Sequence, residues 1–111
     1  MIGTDGDLVI KPENAVVFAG MPHKLSCQTN ELKVLWYYSS SGNNTQWQIL
    51  YTGNKIVDIF LSLYSTETDL NGKKVDLIIN HTKPEYSGAY RCKDPRSDDE
   101  AIAQLIIGRN F

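Results

Sequence analysis

The stretch PEYSGAYRC, Pro84 to Cys92, sets a proline, a glycine, two tyrosines and a cysteine within nine residues. Tyr90 lies two residues before Cys92. In an extended strand, residues two apart share a face, so the ring and the sulfur point into the same interior. Gly88 stands where the chain enters that strand and suits a tight corner. From the strand, the Tyr90 hydroxyl can reach back to the corner's backbone.

On either side of this segment the chain reads as short strands broken by turn signals. "DLVIKPENAVVFAG" (7–20) gives an extended start, a proline interruption and a second apolar run. "HKLSCQ" alternates, with Leu25 and Cys27 on one face. "KVLWYY" is rich in β-branched and aromatic residues and places Val34, Trp36 and Tyr38 on one side. "SSSGNNT" is a turn cluster. "QWQILY" and "KIVDIFLSLY" are apolar again, and the β-branched and aromatic content of the second favours strand over helical turn. Asn71-Gly72 is a strong hairpin signal. "VDLIIN", "SGAYRC" and "AIAQLII" complete about nine strands, with no segment of helical period, an arrangement that predicts an antiparallel sandwich or barrel.

The totals narrow the function classes. The chain has 111 residues, 41% of them apolar, and a net charge of −2. That is the size of one domain, 1–111, with enough apolar content for a modest core. The basic residues are scattered, which argues against nucleic acid as a partner. No apolar run reaches the length of a membrane span. "MIGTDGDLVI" lacks the pattern of a signal peptide, so the chain reads as a mature domain from which any signal or anchor has been removed. Its two cysteines lie 65 residues apart and its two histidines, His23 and His81, stand alone. A zinc site wants more ligands at closer spacing. One disulfide is the leading reading, with two free thiols still open.

These motifs carry a resemblance. Gly20, Leu25 and Cys27, then Trp36 with Tyr37, then Leu77, Ile79, Pro84, Glu85, Gly88, Tyr90 and Cys92, resemble the strand B, C, E and F signatures of a variable-type (V-set) immunoglobulin-superfamily domain. The resemblance covers nearly the whole chain. It implies an all-β, two-sheet antiparallel V-type sandwich with one inter-sheet disulfide, Cys27 to Cys92, and a core signature of Trp36, Leu77, Gly88 and Tyr90. It implies a tyrosine corner at Tyr90. There are departures. Tyr86 stands where the family usually has an Asp, and no Arg stands between Cys27 and Tyr90 to pair with one. The B–C loop is short, and "AIAQLIIG" lacks the Gly-x-Gly bulge of antibody and T-cell receptor domains. The chain therefore resembles a non-rearranging receptor domain of an invertebrate or otherwise diverged lineage.

No nucleophile elbow, phosphate loop or metal motif appears, so no catalytic residue, metal or cofactor is expected. "SDDE" (97–100) lacks the spaced oxygens and glycine of a calcium loop and reads as a solvated charge run. His23 is expected to face solvent, and His81 to lie in a turn. Asn43-Asn44-Thr45 and Asn80-His81-Thr82 are N-glycosylation sequons on expected turns. If Trp36 and Tyr38 face the core, Leu35 and Tyr37 face outward from the sheet of strands G, F, C and C′. Strand C′ adds Trp47, Ile49 and Tyr51, or their alternates if the register slips by one. Arg91 and Lys93 flank Cys92 and should also point outward. Aromatics beside an arginine have the composition of a protein–protein hot spot. The loop 93–100, which holds Arg96, mixes charges of both signs and suits a polar rim or plain connection.

The expectation is an extracellular recognition module, secreted or on a cell surface, serving immune-type recognition or adhesion. It would bind another protein, or itself as a homodimer, through the G-F-C-C′ face, and would meet a membrane only through an anchor outside this sequence. The alternatives are a spacer in a tandem array, with a smooth polar face, and a secreted lectin-like or pathogen-binding effector, with a groove or metal site.

Overall fold

The computed structural model describes residues 8–30, 34–40, 46–69, 73–96 and 99–109. They form eleven strands in two layers. In chain order these are β1 (Leu8–Ile10), β2 (Ala15–Phe18), β3 (His23–Leu25), β4 (Gln28–Thr29), β5 (Leu35–Ser39), β6 (Gln48–Thr52), β7 (Lys55–Ile56), β8 (Tyr64–Thr68), β9 (Val75–Ile79), β10 (Gly88–Lys93) and β11 (Glu100–Gly108). One layer is a six-stranded sheet in the order β2-β11-β10-β5-β6-β7. The other joins β3-β9-β8 to the pair β1-β4. β4 continues the β3 run, and both Val75 N–H to Cys27 O (2.8 Å) and the Gln28–Lys74 bridge tie that run to β9. Every pairing is antiparallel except β2 with β11, which is parallel.

Pro12 makes the change of layer. It separates β1, on one sheet, from β2, on the other, and has no N–H to offer a ladder there. Two sequence-predicted strands divide in the structure. "HKLSCQ" breaks at Ser26-Cys27 into β3 and β4. "KIVDIFLSLY", read above as strand, instead gives the two-residue β7, a 3₁₀ turn at Asp58–Phe60 and then β8. β7 edges one layer and β8 edges the other, so the chain must cross between them. Phe60 N–H to Val57 O (2.8 Å) and Leu63 N–H to Phe60 O (3.0 Å) close that crossing, at the expense of strand propensity and with Ile59 and Leu61 left exposed. The Asn71-Gly72 hairpin signal lies outside the described residues. The strands flanking it, β8 and β9, do pair antiparallel, and the Asp69 carboxylate accepts the Lys73 N–H at 2.9 Å.

The core lies between the layers. Cys27 and Cys92 form a disulfide across it, and both are fully buried with Trp36, Leu77 and Tyr90. Trp36 donates its indole N–H to Val75 O at 3.1 Å, so its one polar atom is satisfied inside the core. Tyr90 donates its hydroxyl to Tyr86 O at 2.9 Å, closing the corner, and shares a 3.1 Å hydrogen bond with the Tyr64 hydroxyl. Gly88 opens β10 at φ +149°, and a Cβ there would lie 2.5 Å from Ser39 O, so a side chain has no room. His23, expected to face solvent, is half-buried. It shares its strand face with Leu25, and burial lowers its imidazole pKa.

Candidate partner-binding face

The outer face of the six-stranded sheet is built on the pairing of β5, β10 and β11. Arg91 faces Tyr37 on one side and Ile102 on the other, and Tyr37 in turn faces Ile49 on β6. Along β10, Cys92 points inward, so Arg91 and Lys93 point outward. Lys93 stands between Leu35 and Glu100.

Arg91 organises this face. Its guanidinium carbon sits 4.3 Å from the centre of the Tyr37 ring and 4.5 Å from that of Trp47, so two aromatic rings clasp the cation. Such contacts gain strength as water is excluded. The Arg91 side chain is only 18% exposed. One terminal nitrogen lies 3.5 Å from a Glu100 carboxylate oxygen, and the buried Nε has no hydrogen-bond partner. An arginine in this state is fixed in place with donor capacity unspent. Tyr37, Ile49 and Ile102 are half-buried around it at positions set by strand pairing, with half-buried Trp47 just before β6.

Of the residues expected on this face, the structure brings together Tyr37, Trp47, Ile49, Arg91 and Lys93, and it removes Tyr51. The β5–β6 register shifts between Trp36 and Tyr37: Trp36 pairs with Tyr51, whereas Tyr37 pairs with Ile49. Leu50 is the extra residue of a bulge. Alternation therefore slips within β6, and Tyr51 turns inward with Leu50, 2% exposed and part of the core. Arg96 is exposed in the loop after β10, its backbone N–H held by the Asp94 carboxylate at 2.9 Å, and it does not join the clasp.

The sequence reading missed Ile102 and an apolar edge. Val16, Phe18 and Ile106 are 75%, 69% and 57% exposed, with Val16 paired to Ile106 across β2 and β11. In "AIAQLII" both alternating sets are mostly apolar, so the sequence alone does not say which set faces out. Alternation counted from Cys92 through the β10–β11 pairing would have.

Of the sequons, Asn43 lies outside the described residues. Asn80 ends β9. Its side-chain oxygen accepts from the Ser65 hydroxyl at 2.8 Å. Thr82 is buried and its hydroxyl donates to Met21 O at 2.6 Å. His81 is exposed in the turn between them. Among the described residues no group of three or more His, Cys, Asp or Glu side chains is placed to hold a metal ion, and no helix is long and apolar enough to cross a membrane.

Comparison with known proteins agrees with this architecture. A family model described as the immunoglobulin V-set domain matches residues 10–106. No curated protein matches the sequence. Among solved structures, a mutant complex of titin M10 with an obscurin-like 1 immunoglobulin domain is similar at a TM-score of 0.68 and 17% identity, over 94% of this chain and 93% of that one. Titin z1z2 in complex with telethonin is similar at a TM-score of 0.69 and 16% identity, over 94% of this chain and 47% of that one. Likeness at such identities speaks to the fold.

Proposed function

The chain belongs to the immunoglobulin V-set family, and from that membership we propose that it is a single non-catalytic recognition module of a cell-surface or secreted protein, engaging another protein through the outer face of its six-stranded sheet. The observation that carries this reading is the clasped arginine. Arg91 is held between Tyr37 and Trp47 at 4.3 and 4.5 Å, with a buried Nε left without a partner. Aromatic and arginine anchors dominate interface energetics, and anchors already fixed lose little entropy on binding. The buried Nε is out of a partner's reach, so a partner carboxylate or carbonyl oxygen would meet the terminal nitrogens of this partly exposed side chain.

Other features support the reading. The Cys27–Cys92 disulfide suits an oxidising compartment outside the cytosol. The Asn80 side-chain nitrogen makes no hydrogen bond among the described residues, which leaves it available to carry a glycan, and Asn43 is the second such candidate. The solved neighbours are themselves immunoglobulin domains of titin in complexes with other proteins. A second copy of the chain is a fitting partner, because the face carries Arg91 and Lys93 alongside Glu100 and two copies about a two-fold axis can match opposite charges. A spacer module would show a polar face. Tyr37, Trp47, Ile49 and Ile102 make this one apolar.

Sedimentation velocity over a concentration series, with Tyr37→Glu beside wild type, tests the self-recognition form. We expect a dimer whose dissociation constant rises at least about tenfold on placing a carboxylate in the apolar clasp. A monomer at every concentration moves the reading to a heterologous partner. If Tyr37→Ala and Trp47→Ala leave both self-association and partner binding unchanged in a folded protein, the assignment of this face fails.

A further inference from the structure

A cleft of about 350 Å³ opens where β5 ends and β8 begins, and Arg91 is not part of its lining. Tyr38, Phe60, Tyr64 and Tyr86 line it, with Glu85 at the rim. Tyr38, Tyr64 and Phe60 join Tyr90 in a chain of tilted and edge-on ring contacts. Tyr38 lies 4.8 Å from Tyr90, and Tyr64 meets both Tyr90 and Phe60 edge-on at 6.2 and 6.1 Å.

The hydroxyls of Tyr38 and Tyr64 are already engaged. Tyr38 donates to Ser87 O at 2.7 Å, and Tyr64 bonds the Tyr90 hydroxyl at 3.1 Å. Tyr38 and Tyr64 are themselves buried, so the ring surface at the cleft is mainly that of the half-buried Phe60 and Tyr86, beside Ser40, Gln46 and Gln48. No lysine or arginine lines it, and Glu85 is exposed with its carboxylate in no ion pair among the described residues. Ring faces are electronegative, and an uncompensated carboxylate beside them adds full negative charge.

We propose that this cleft receives the guanidinium of an arginine side chain presented by a partner polypeptide. A guanidinium is flat and weakly hydrated, stacks on aromatic faces, and can donate to a carboxylate at the same time. The chain solves the same problem internally with its own Arg91, held between two rings and beside Glu100. The tyrosine cleft offers that combination with the cation left to the partner. Gln46 and Gln48 of its lining flank Trp47 of the Arg91 face, but the cleft uses neither Arg91 nor the two rings that clasp it and does not depend on that face binding anything.

The test is a ¹⁵N-correlation titration of the 111-residue chain with N-acetyl-arginine methylamide, beside its neutral isostere, the citrulline derivative. The arginine derivative should produce saturable shifts at the Phe60 and Tyr86 amides, with the citrulline derivative at least about tenfold weaker. Glu85→Gln, a change at an exposed side chain, should weaken arginine binding at least about threefold and leave the spectrum of the free protein otherwise in place. Equal binding of the two derivatives would mean that only the apolar stem is recognised, and overturns the proposal. So does the absence of saturable shifts at Phe60 and Tyr86, or an affinity that Glu85→Gln leaves unchanged.

Discussion

Tyr90 shows how much a single side chain settles. Its ring packs in the core, and its hydroxyl joins Tyr64 to the corner carbonyl of Tyr86. Tyr90→Phe removes both bonds and strands the Tyr64 hydroxyl, so it should cost about 1–3 kcal/mol, against about 1 kcal/mol or less for Tyr64→Phe. The same pair contributes to the alkaline limit of stability, together with Tyr38 and Tyr51, whose hydroxyl pKa values burial also raises. Burial pushes the Tyr64 hydroxyl up to about 12 and raises that of Tyr90 as well, whereas a tyrosine in the unfolded chain titrates near 10. The folded state holds these protons more tightly. The stabilisation is fully present below about pH 10 and is lost as pH rises through the folded values. Urea midpoints followed from pH 8 to 12 should fall steeply above about 10, and less steeply in Tyr64→Phe.

At the level of the strand, β6 carries the less visible information. Its bulge at Leu50 returns Tyr51 to the core after Ile49 has faced outward. Deleting Leu50 would restore plain alternation, with Ile49 still outward and Tyr51 still inward opposite Trp36, but would remove the buried side chain of the bulge. The expected result is a loss of about 2–5 kcal/mol in urea unfolding, because a buried leucine is removed and its space is left behind. Nothing in "QWQILY" announces this. The run is apolar at adjacent positions, so either register satisfies the pattern. The 3₁₀ crossing at Asp58–Phe60 was hidden for a related reason. Its residues have strand propensity, and only the need to pass between layers overrides it. By contrast, Cys27, Trp36, Gly88, Tyr90 and Cys92 were legible because each answers a local demand at fixed spacing: an inward sulfur, a ring beside it, a corner without a side chain. The clasp on Arg91 was legible in composition but not in arrangement, because Trp47 reaches Arg91 only through the pairing of three strands.

For the molecule as a whole, the two layers are held by one covalent link whose ends lie 65 residues apart. Closing so long a loop limits the unfolded chain by about 4 kcal/mol in the chain-entropy account. Domains of this size are stable by only about 5–15 kcal/mol, so Cys27→Ala with Cys92→Ala should lower the unfolding free energy by about 2–5 kcal/mol while keeping the same sheet order. Comparing urea midpoints and far-ultraviolet circular dichroism of the double variant with the oxidised protein would check both parts. Retained cooperative unfolding would say that the packed core around Trp36, rather than the bridge, specifies the topology.

The parallel pairing of β2 with β11 also governs how the molecule answers mechanical load. These strands lie near opposite ends of the described chain and run in the same direction, Ala15–Phe18 beside Leu105–Gly108. Traction applied through the flanking segments first peels the short β1–β4 contact. It then draws β2 and β11 past each other along their length. The hydrogen bonds between them are then loaded together in shear rather than opened in turn.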